Sequence, residues 1–138
     1  MRMIIDTDTG IDDAEALIMA LTYPGTTVEA ITTVTGNVDL DAVNPNVCTV
    51  LQQVGQSVPI YSGANRPLVE KWVDDERRYH GRDGLGDWDE RPPCEVALET
   101  EPAAMALVRL ASEFPGTFTL VALGPLTNIA LAIRLDPT

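Results

Sequence analysis

The chain has 138 residues, which is enough to bury the core of one domain without disulfides or structural metals. Its 21 acidic residues against 9 basic residues give a net charge of -12, which repels nucleic-acid phosphates and anionic lipid surfaces. No run is long and apolar enough to span a bilayer and no signal sequence precedes Met3, so we expect a soluble, cytoplasmic protein with neither nucleic-acid nor membrane partners.

The first half of the chain alternates predicted strands and helices. Residues 3–5 form a short apolar strand, and residues 14–21 repeat apolar side chains at helical spacing. Residues 28–34 are rich in Val, Ile and Thr, which predicts a second buried strand. A second helix is predicted over residues 39–54, with Asp39 as its N-cap.

The middle of the chain is less regular. Pro45 falls inside the second helix and lacks an N–H, so we expect the helix to start later or to kink there. Residues 58–61 predict a third short strand. Residues 62–99 mix Gly, Pro, Trp and charge without periodicity, which indicates a long loop of a kind that is uncommon unless functional or mobile.

The last predicted elements return to the alternation. A helix is predicted over residues 102–113, a fourth strand over residues 117–123 and a final helix from Leu126. This order predicts an α/β fold with a mostly parallel, Rossmann-like sheet and helices on both faces. Ligands of such sheets collect beyond the carboxyl ends of the strands. Three loops meet there if their strands are neighbours: residues 6–13, Gly36-Asn37 and Leu123-Gly124.

Residues 6–13, which we call the aspartate loop, hold four carboxylates. Asp6, Asp8, Asp12 and Asp13 repel one another, so a folded chain keeps them together only if cations, hydrogen bonds or protonation offset the repulsion. A hard ion such as Ca²⁺ accepts carboxylates, a backbone carbonyl and waters, whereas Zn²⁺ prefers His and Cys. Gly10 permits the tight turn that such a site needs. The aspartate loop therefore predicts a metal or catalytic site.

Helix capping is the alternative explanation for part of the aspartate loop. Asp12 or Asp13 alone suits a helix N-terminus, where a carboxylate caps the chain and favours the dipole. Capping does not account for Asp6 and Asp8 on the strand side, so a metal or catalytic site is favoured. An EF-hand does not fit, because the Gly falls one place early and no Glu closes the loop.

Three further segments belong with the aspartate loop. They are Ile31-Thr32-Thr33-Val34-Thr35-Gly36-Asn37, His80-Gly81-Arg82-Asp83-Gly84-Leu85-Gly86 and Leu123-Gly124-Pro125-Leu126-Thr127-Asn128-Ile129-Ala130. With Asp6-Thr7-Asp8-Thr9-Gly10-Ile11-Asp12-Asp13-Ala14, they resemble the signatures of the inosine-uridine preferring nucleoside hydrolase family, in order and along essentially the whole chain.

The resemblance implies hydrolysis of the N-glycosidic bond of ribonucleosides to free base and ribose, a reaction of purine and pyrimidine salvage. It implies Ca²⁺ ligation by Asp8, Asp13 and the backbone carbonyl of Leu123. Asp8 is then also the catalytic base, which deprotonates the Ca²⁺-bound water that attacks the ribose. Asp12 and Asn37 are implied ribose contacts, and the full-length form is implied to be a homo-oligomer.

Four further side chains receive lesser roles from the resemblance. Asp6 supports the metal ligands without itself binding the ion. His80, the single histidine of the chain, is either an inert loop side chain or a contact to the substrate base. Trp72 and Trp88 either shield the nucleobase or pack as ordinary aromatic residues, and packing is favoured. Nothing in the sequence predicts which nucleobase is preferred.

The two cysteines, Cys48 and Cys94, lie far apart and have no CxxC spacing. Neither lies beside a histidine or a Gly-rich turn that would make it a nucleophile. We therefore expect two free thiols that are buried as small apolar side chains in a reducing cytosol.

The C-terminus has no strand to follow the last predicted one, and the family's later ribose-binding acid and amide, its C-terminal Asp ligand and the adjacent His have no counterpart before Thr138. We therefore expect residues 1–138 to be the N-terminal portion of a single nucleoside hydrolase-like domain, apparently truncated. With these groups missing, we expect the chain alone to bind Ca²⁺ weakly and to hydrolyse little or no nucleoside.

Two alternatives remain open at the level of sequence. Asp6-Thr7-Asp8-Thr9 after an apolar strand also satisfies the DxDxT pattern of haloacid-dehalogenase-type phosphohydrolases, with Asp6 as the nucleophile and Mg²⁺ beside it. That pattern leaves the pair Asp12-Asp13 and the loop at Gly36-Asn37 unexplained. The second alternative is a non-catalytic metal-binding fragment.

Overall fold

The structure is a computed structural model that describes residues 1–71, 79–95 and 97–138, so Trp72 lies outside the described residues. Its nine elements alternate mostly as the sequence predicts. In chain order they are β1 (Arg2–Thr7), α1 (Ile11–Thr22), β2 (Thr27–Thr33), α2 (Leu40–Val54), β3 (Ile60–Ser62), β4 (Leu98–Glu99), α3 (Ala103–Glu113), β5 (Thr119–Ala122) and α4 (Thr127–Leu135).

The five strands form one sheet in the order β4-β3-β2-β1-β5, and every pair of neighbours is parallel. β1 lies between β2 and β5, so that Ile5 faces Ile31 on one side and Val121 on the other. The chain therefore extends the sheet in one direction through β4 and returns to the opposite side of β1 for β5. Such a reversal of strand order creates the crevice in which open α/β sheets bind ligands.

Helices cover both faces of the sheet, as predicted. Successive residues of a strand point to opposite faces, so Ile4 and Ile5 enter different cores. On one face, Ile5 and Ile31 pack against α1 and α2, whose buried members include Leu17, Val47, Val50 and Leu51. On the other face, Ile4 and Ala30 pack against Ala103, Ala106 and Leu107 of α3 and, at the margin, Ile129 and Ala132 of α4. Within the described ranges, no helix has the length and apolar character needed to cross a membrane.

Helix α2 starts where it was predicted, and only the expected effect of Pro45 differs. Asp39 is the N-cap, as expected, and its side chain accepts a hydrogen bond from the N–H of Ala42 at 3.0 Å. The helix includes Pro45, so of the two expected effects of this proline, a later start or a kink, the later start is wrong. Proline at this position removes the hydrogen bond to the carbonyl of Asp41, an exposed residue of the first turn, whose carbonyl water can solvate.

The cysteines also differ from the prediction. Cys48 on α2 and Cys94 form a disulfide with a Cα–Cα distance of 6.0 Å, so the expectation of two free thiols is wrong. The cause is the path of residues 79–95, which we call the His80 loop. This segment folds back onto α2, where the side chain of Asn46 donates a hydrogen bond to the carbonyl of Asp83 at 2.8 Å. A pairing across 46 positions leaves no local sequence signal.

Candidate active site

Three loops meet at the carboxyl ends of β1, β2 and β5, as the sequence predicts for neighbouring strands. The aspartate loop follows β1, Gly36-Asn37 follows β2 and Leu123-Gly124 follows β5. Backbone hydrogen bonds tie the loops to β1: the N–H of Val34 donates to the carbonyl of Thr7 at 3.0 Å, and the N–H of Leu123 donates to the carbonyl of Asp6 at 2.8 Å. The candidate site therefore lies where the strand order reverses.

Asp8 is enclosed by the other two loops. Its side chain is buried, and Oδ2 accepts a hydrogen bond from the N–H of Asn37 at 2.7 Å. A Cβ atom at Gly36 would lie 2.0 Å from Oδ2, and a Cβ atom at Gly124 would lie 2.6 Å from Oδ1. Both distances are too short for any side chain, so the two glycines allow their backbones to approach the carboxylate.

The environment of Asp8 favours its protonated form. Burial is the larger cause and the nearby carboxylate of Asp13 is the next, and together they raise the pKa of Asp8 from 3.8 to about 6. The N–H of Asn37 opposes this change, because it donates to the ionised carboxylate. Asp8 can therefore gain or lose a proton close to neutral pH, which suits a general base.

Asp13 is the third residue of α1 and is buried beside Asp8. Oδ1 accepts a hydrogen bond from Thr7 Oγ1 at 2.8 Å, and Oδ2 accepts one from the N–H of Gly10 at 3.1 Å and one from Asn37 Nδ2 at 3.2 Å. The capping explanation thus holds in part, because Asp13 satisfies the N–H of the N-cap Gly10. An ionised carboxylate has about four acceptor positions, so these three bonds leave room for a cation.

Asp6 is completely buried, and its side chain bonds to residues of β2 and α4. Oδ1 accepts hydrogen bonds from Thr32 Oγ1 at 2.5 Å and Asn128 Nδ2 at 2.8 Å, whereas Oδ2 has no partner among the described residues. Burial raises the pKa of Asp6, and the two hydrogen bonds oppose that rise. A nucleophilic carboxylate must reach its substrate, so this position does not favour the phosphohydrolase alternative.

Asp12, Asn37 and His80 lie on the open side of the site. The side chain of Asp12 is 79% exposed, and its Oδ1 lies 3.7 Å from His80 Nε2. His80 Nδ1 accepts a hydrogen bond from the N–H of Ile11 at 3.2 Å. A Cβ atom at Gly10 would lie 2.7 Å from Asn37 Nδ2 and 3.0 Å from the His80 ring, so these side chains flank the glycine closely. Trp88, elsewhere in the His80 loop, is 42% exposed.

Two buried asparagines that the sequence did not assign to the site connect its parts. Asn128 donates from Nδ2 to Asp6 Oδ1 and to the carbonyl of Thr33, each at 2.8 Å. Asn46 donates from Nδ2 to the carbonyl of Thr9 at 3.1 Å. The sequence gives one indication that Asn46 is buried: it is a polar residue next to Val47 in a helix with a buried face. A buried amide needs partners, and the sequence does not identify them.

The candidate metal donors are the carboxylates of Asp8 and Asp13 and the backbone carbonyl of Leu123. All are oxygen atoms, which are the ligands of hard cations such as Ca²⁺ and Mg²⁺. The carboxylates of Asp8 and Asp13 lie close enough for Asp13 to raise the pKa of Asp8, and Asp13 keeps one acceptor position, so this pair suits a hard cation. Over residues 1–71, 79–95 and 97–138, no group of three or more His, Cys, Asp or Glu side chains is arranged to hold a metal, so these donors form a partial set.

The chain is similar in sequence to nucleoside hydrolases. A family model described as inosine-uridine preferring nucleoside hydrolase matches residues 3–138. The chain is 40% identical over 136 residues to uridine nucleosidase 1 of Arabidopsis thaliana. This match covers 98% of the chain and 40% of that protein. It is 39% identical over 138 residues to the inosine-uridine preferring nucleoside hydrolase of Leishmania major, covering 99% of the chain and 44% of that enzyme.

The fold agrees with this similarity. The solved structure of an inosine-guanosine nucleoside hydrolase superposes with a TM-score of 0.90 at 40% identity, covering 99% of the chain and 43% of that structure. The chain thus spans less than half the length of these relatives.

Proposed function

Because the chain belongs to the inosine-uridine preferring nucleoside hydrolase family, we propose that the aspartate loop is part of a site that hydrolyses the N-glycosidic bond of ribonucleosides. The products are the free base and ribose. The observation that carries this proposal is the Asp8 carboxylate, which is buried between Gly36 and Gly124 where the strand order reverses. The names of the relatives support ribonucleosides as the substrate class.

The proposed cofactor is Ca²⁺, held by Asp8, Asp13 and the carbonyl of Leu123. When bound, the ion lowers the pKa of a water that it coordinates and fixes the sugar hydroxyls for attack. The all-oxygen donor set supports a hard cation. Asn37 supports the same arrangement, because its N–H holds Asp8 Oδ2 and its side chain holds Asp13 Oδ2, and both carboxylates are thereby oriented.

Asp8 is the proposed general base. A carboxylate that lies within hydrogen-bond reach of the attacking water accepts its proton as the water adds to the anomeric carbon and the base departs. In the metal-free site the pKa of Asp8 is about 6, and a bound cation would lower it, because a nearby positive charge favours the carboxylate form. Inverting glycosidases use the same logic, in which a carboxylate activates water on the face opposite the leaving group.

The open side of the site is proposed to bind the substrate. Asp12 and Asn37 contact the ribose hydroxyls, and His80 contacts the substrate on the side of the base. The exposure of Asp12 and Asn37 supports this assignment, because a group that binds a ligand must be accessible to it. Asp6 is proposed to support the metal ligands indirectly, since its hydrogen bonds to Thr32 and Asn128 fix the end of β1 at which the aspartate loop begins.

The isolated chain is proposed to bind Ca²⁺ weakly and to turn over little or no nucleoside. Ca²⁺ takes 6–8 oxygen ligands in proteins, and the candidate set supplies two carboxylates and one carbonyl. The non-catalytic metal-binding alternative shares this property, but the family relationship does not favour it. Two other properties stay predictions: a cytoplasmic location and a homo-oligomeric full-length form.

A chimera tests the proposed function most directly. Residues 1–138 replace the matching part of the Leishmania major enzyme, of which they cover 44%. We expect the chimera to release base from inosine or uridine, and we expect Asp8→Ala or a Ca²⁺ chelator to reduce the rate at least a hundredfold, because each removes the activation of water.

The matched control is Asp39→Ala, which changes an aspartate at the N-cap of α2 outside the site. This variant should retain hydrolysis. The proposal is wrong if a folded chimera hydrolyses nucleosides equally well with and without the Asp8 carboxylate. The isolated chain is measured in parallel, and hydrolysis at the rate of the chimera would contradict the expectation of low activity.

A further inference from the structure

Asn46 connects three segments that are distant in sequence. Its side chain is completely buried on α2. Nδ2 donates one hydrogen bond to the carbonyl of Thr9, in the aspartate loop, at 3.1 Å and another to the carbonyl of Asp83, in the His80 loop, at 2.8 Å. Oδ1 accepts a hydrogen bond from Arg91 Nη1, also in the His80 loop, at 2.5 Å. The amide therefore uses both of its donors and its acceptor to join these segments.

The His80 loop is shaped to meet this amide. Gly84 has a positive φ of 84°, and a Cβ atom there would lie 2.7 Å from Asn46 Nδ2, so a larger residue would push the loop away. The N–H of Gly86 donates to the carbonyl of His80 at 2.7 Å, which closes the loop on itself next to the histidine. Asp83 and Gly84 therefore lie within a short segment that is closed on His80 by this hydrogen bond.

We propose that Asn46 is a positioning residue, whose amide joins the His80 loop to the aspartate loop and so holds the His80 imidazole at the N–H of Ile11. The observed 3.2 Å hydrogen bond between His80 Nδ1 and that N–H is the contact that Asn46 maintains. An asparagine is required because the amide is neutral and offers two donors. An aspartate of the same shape offers no donor when ionised and directs negative charge at two carbonyl oxygens.

The consequence for catalysis rests on the proposed nucleoside hydrolysis, whereas the positioning itself does not. If His80 contacts the substrate and Asp8 activates the water, loss of the Asn46 contacts weakens substrate binding more than it slows the chemical step. In the chimera described above, Asn46→Asp is expected to raise KM at least tenfold while kcat changes less than threefold.

The direct test is made on the 138-residue chain and needs no activity. His80 is the single histidine, so its ring gives one resolved set of NMR resonances. Asn46→Asp is expected to move these resonances to the positions of a solvent-exposed imidazole. The variant is also expected to accelerate hydrogen exchange at the N–H of Gly86 at least tenfold.

Asn44→Asp is the matched control. Asn44 is also a buried asparagine of α2, but its side chain bonds to Thr33 Oγ1 at 2.6 Å and to Ser62 Oγ at 3.1 Å, away from the His80 loop. It should leave the His80 resonances and Gly86 exchange at their wild-type values. Arg91→Gln is the second test variant, because it removes the contact to Asn46 Oδ1, together with the 3.9 Å contact to Asp83 Oδ2, from a partly exposed position and spares the helix.

Arg91→Gln is expected to shift the same signals in the same direction by a smaller amount. Wild-type His80 and Gly86 signals in a folded Asn46→Asp chain would overturn the proposal. If Asn46→Asp does not fold, wild-type signals in Arg91→Gln would overturn it. A chimera that fails to release base while the His80 signals respond as expected would contradict the proposed function and leave the role of Asn46 intact.

Discussion

At the scale of single residues, the Asp8 carboxylate makes the metal-free chain less stable when it is ionised. Its pKa rises from 3.8 to about 6 on folding, so the folded state binds a proton more tightly than the unfolded state. The contribution of protonated Asp8 to the free energy of unfolding is present below pH 4 and is lost as the pH rises from about 4 to about 6. The buried carboxyl of Asp6 contributes in the same direction.

Asp8→Asn is therefore expected to stabilise the metal-free chain at neutral pH. Asparagine keeps the shape of the side chain and removes the buried charge, so the free energy of unfolding at pH 7 should rise by roughly 2 kcal/mol, with little change at pH 4. Urea unfolding at the two pH values measures the difference. Asp12→Asn, at a side chain that is 79% exposed, should change the stability at neither pH by more than about 0.5 kcal/mol. An equal effect of Asp8→Asn at both pH values would contradict the electrostatic explanation.

The sequence allowed only part of the site to be predicted at this scale. Asp8, Asp13 and Asn37 follow adjacent strands, so the rule that parallel strands end at one edge brings them together. Asn46 and Asn128 are different, because their partners lie 37 and 122 positions away along the chain and on other elements. Apolar neighbours suggest that such an asparagine is buried, but nothing local identifies the loops that it joins. Such contacts depend on how the helices pack against the sheet.

At the scale of elements, the side chain of Asp39 caps the start of α2 by accepting a hydrogen bond from the N–H of Ala42. Asp39→Ala is expected to lower the free energy of unfolding by about 1 kcal/mol, because the N–H of Ala42 loses its side-chain acceptor. Urea unfolding at neutral pH provides the measurement. Asp41→Ala is the control within the same turn, and it should cost less than Asp39→Ala, since Asp41 is an acidic residue of the first turn that favours the helix dipole and does not cap the helix. A larger loss for Asp41→Ala would show that the cap is assigned wrongly.

The disulfide is a second stabilising link of α2, because it joins Cys48 to the end of the His80 loop. Reduction is expected to lower the free energy of unfolding by about 4 kcal/mol, since a bridge across 46 positions restricts the unfolded chain. Urea midpoints with and without a dithiol reductant measure this loss. The double variant Cys48→Ser and Cys94→Ser should be insensitive to the reductant. Two reactive thiols in the untreated native protein would contradict the bridge.

The elements themselves were largely predictable, and the exceptions have local causes. The two residues of β4 are too few to show alternation, so Leu98–Glu99 is recognised only by its pairing with β3. Pro45 is a poor guide to the start of α2, because the Asp39 cap fixes the first turn before the proline is reached. Hydrophobic periodicity shows which residues are buried. It does not by itself predict a very short edge strand or the start of a capped helix that contains one proline.

At the scale of the whole molecule, the net charge of -12 means that the excess acidic side chains repel one another in the compact state. Raising NaCl from roughly 0.02 M to roughly 0.5 M is expected to increase Tm at pH 7, because salt screens this repulsion. Differential scanning calorimetry measures the change. Near the sequence pI of about 4.2 the net charge vanishes, and the salt effect should become much smaller. A salt effect of the same size at both pH values would point to a cause other than net charge.

The hydrogen bond from Asn128 to Asp6 has a consequence for the order of folding. It spans 122 positions, and β5 reaches its place beside β1 only after β2, β3 and β4 have been synthesised. Contacts of such high contact order form late, since a long loop must close before they contribute. A nascent chain on the ribosome therefore carries the aspartates of β1 and the aspartate loop long before Gly124 and Asn128 emerge. During that interval it has the carboxylates of the site without the enclosure that gives Asp8 its raised pKa.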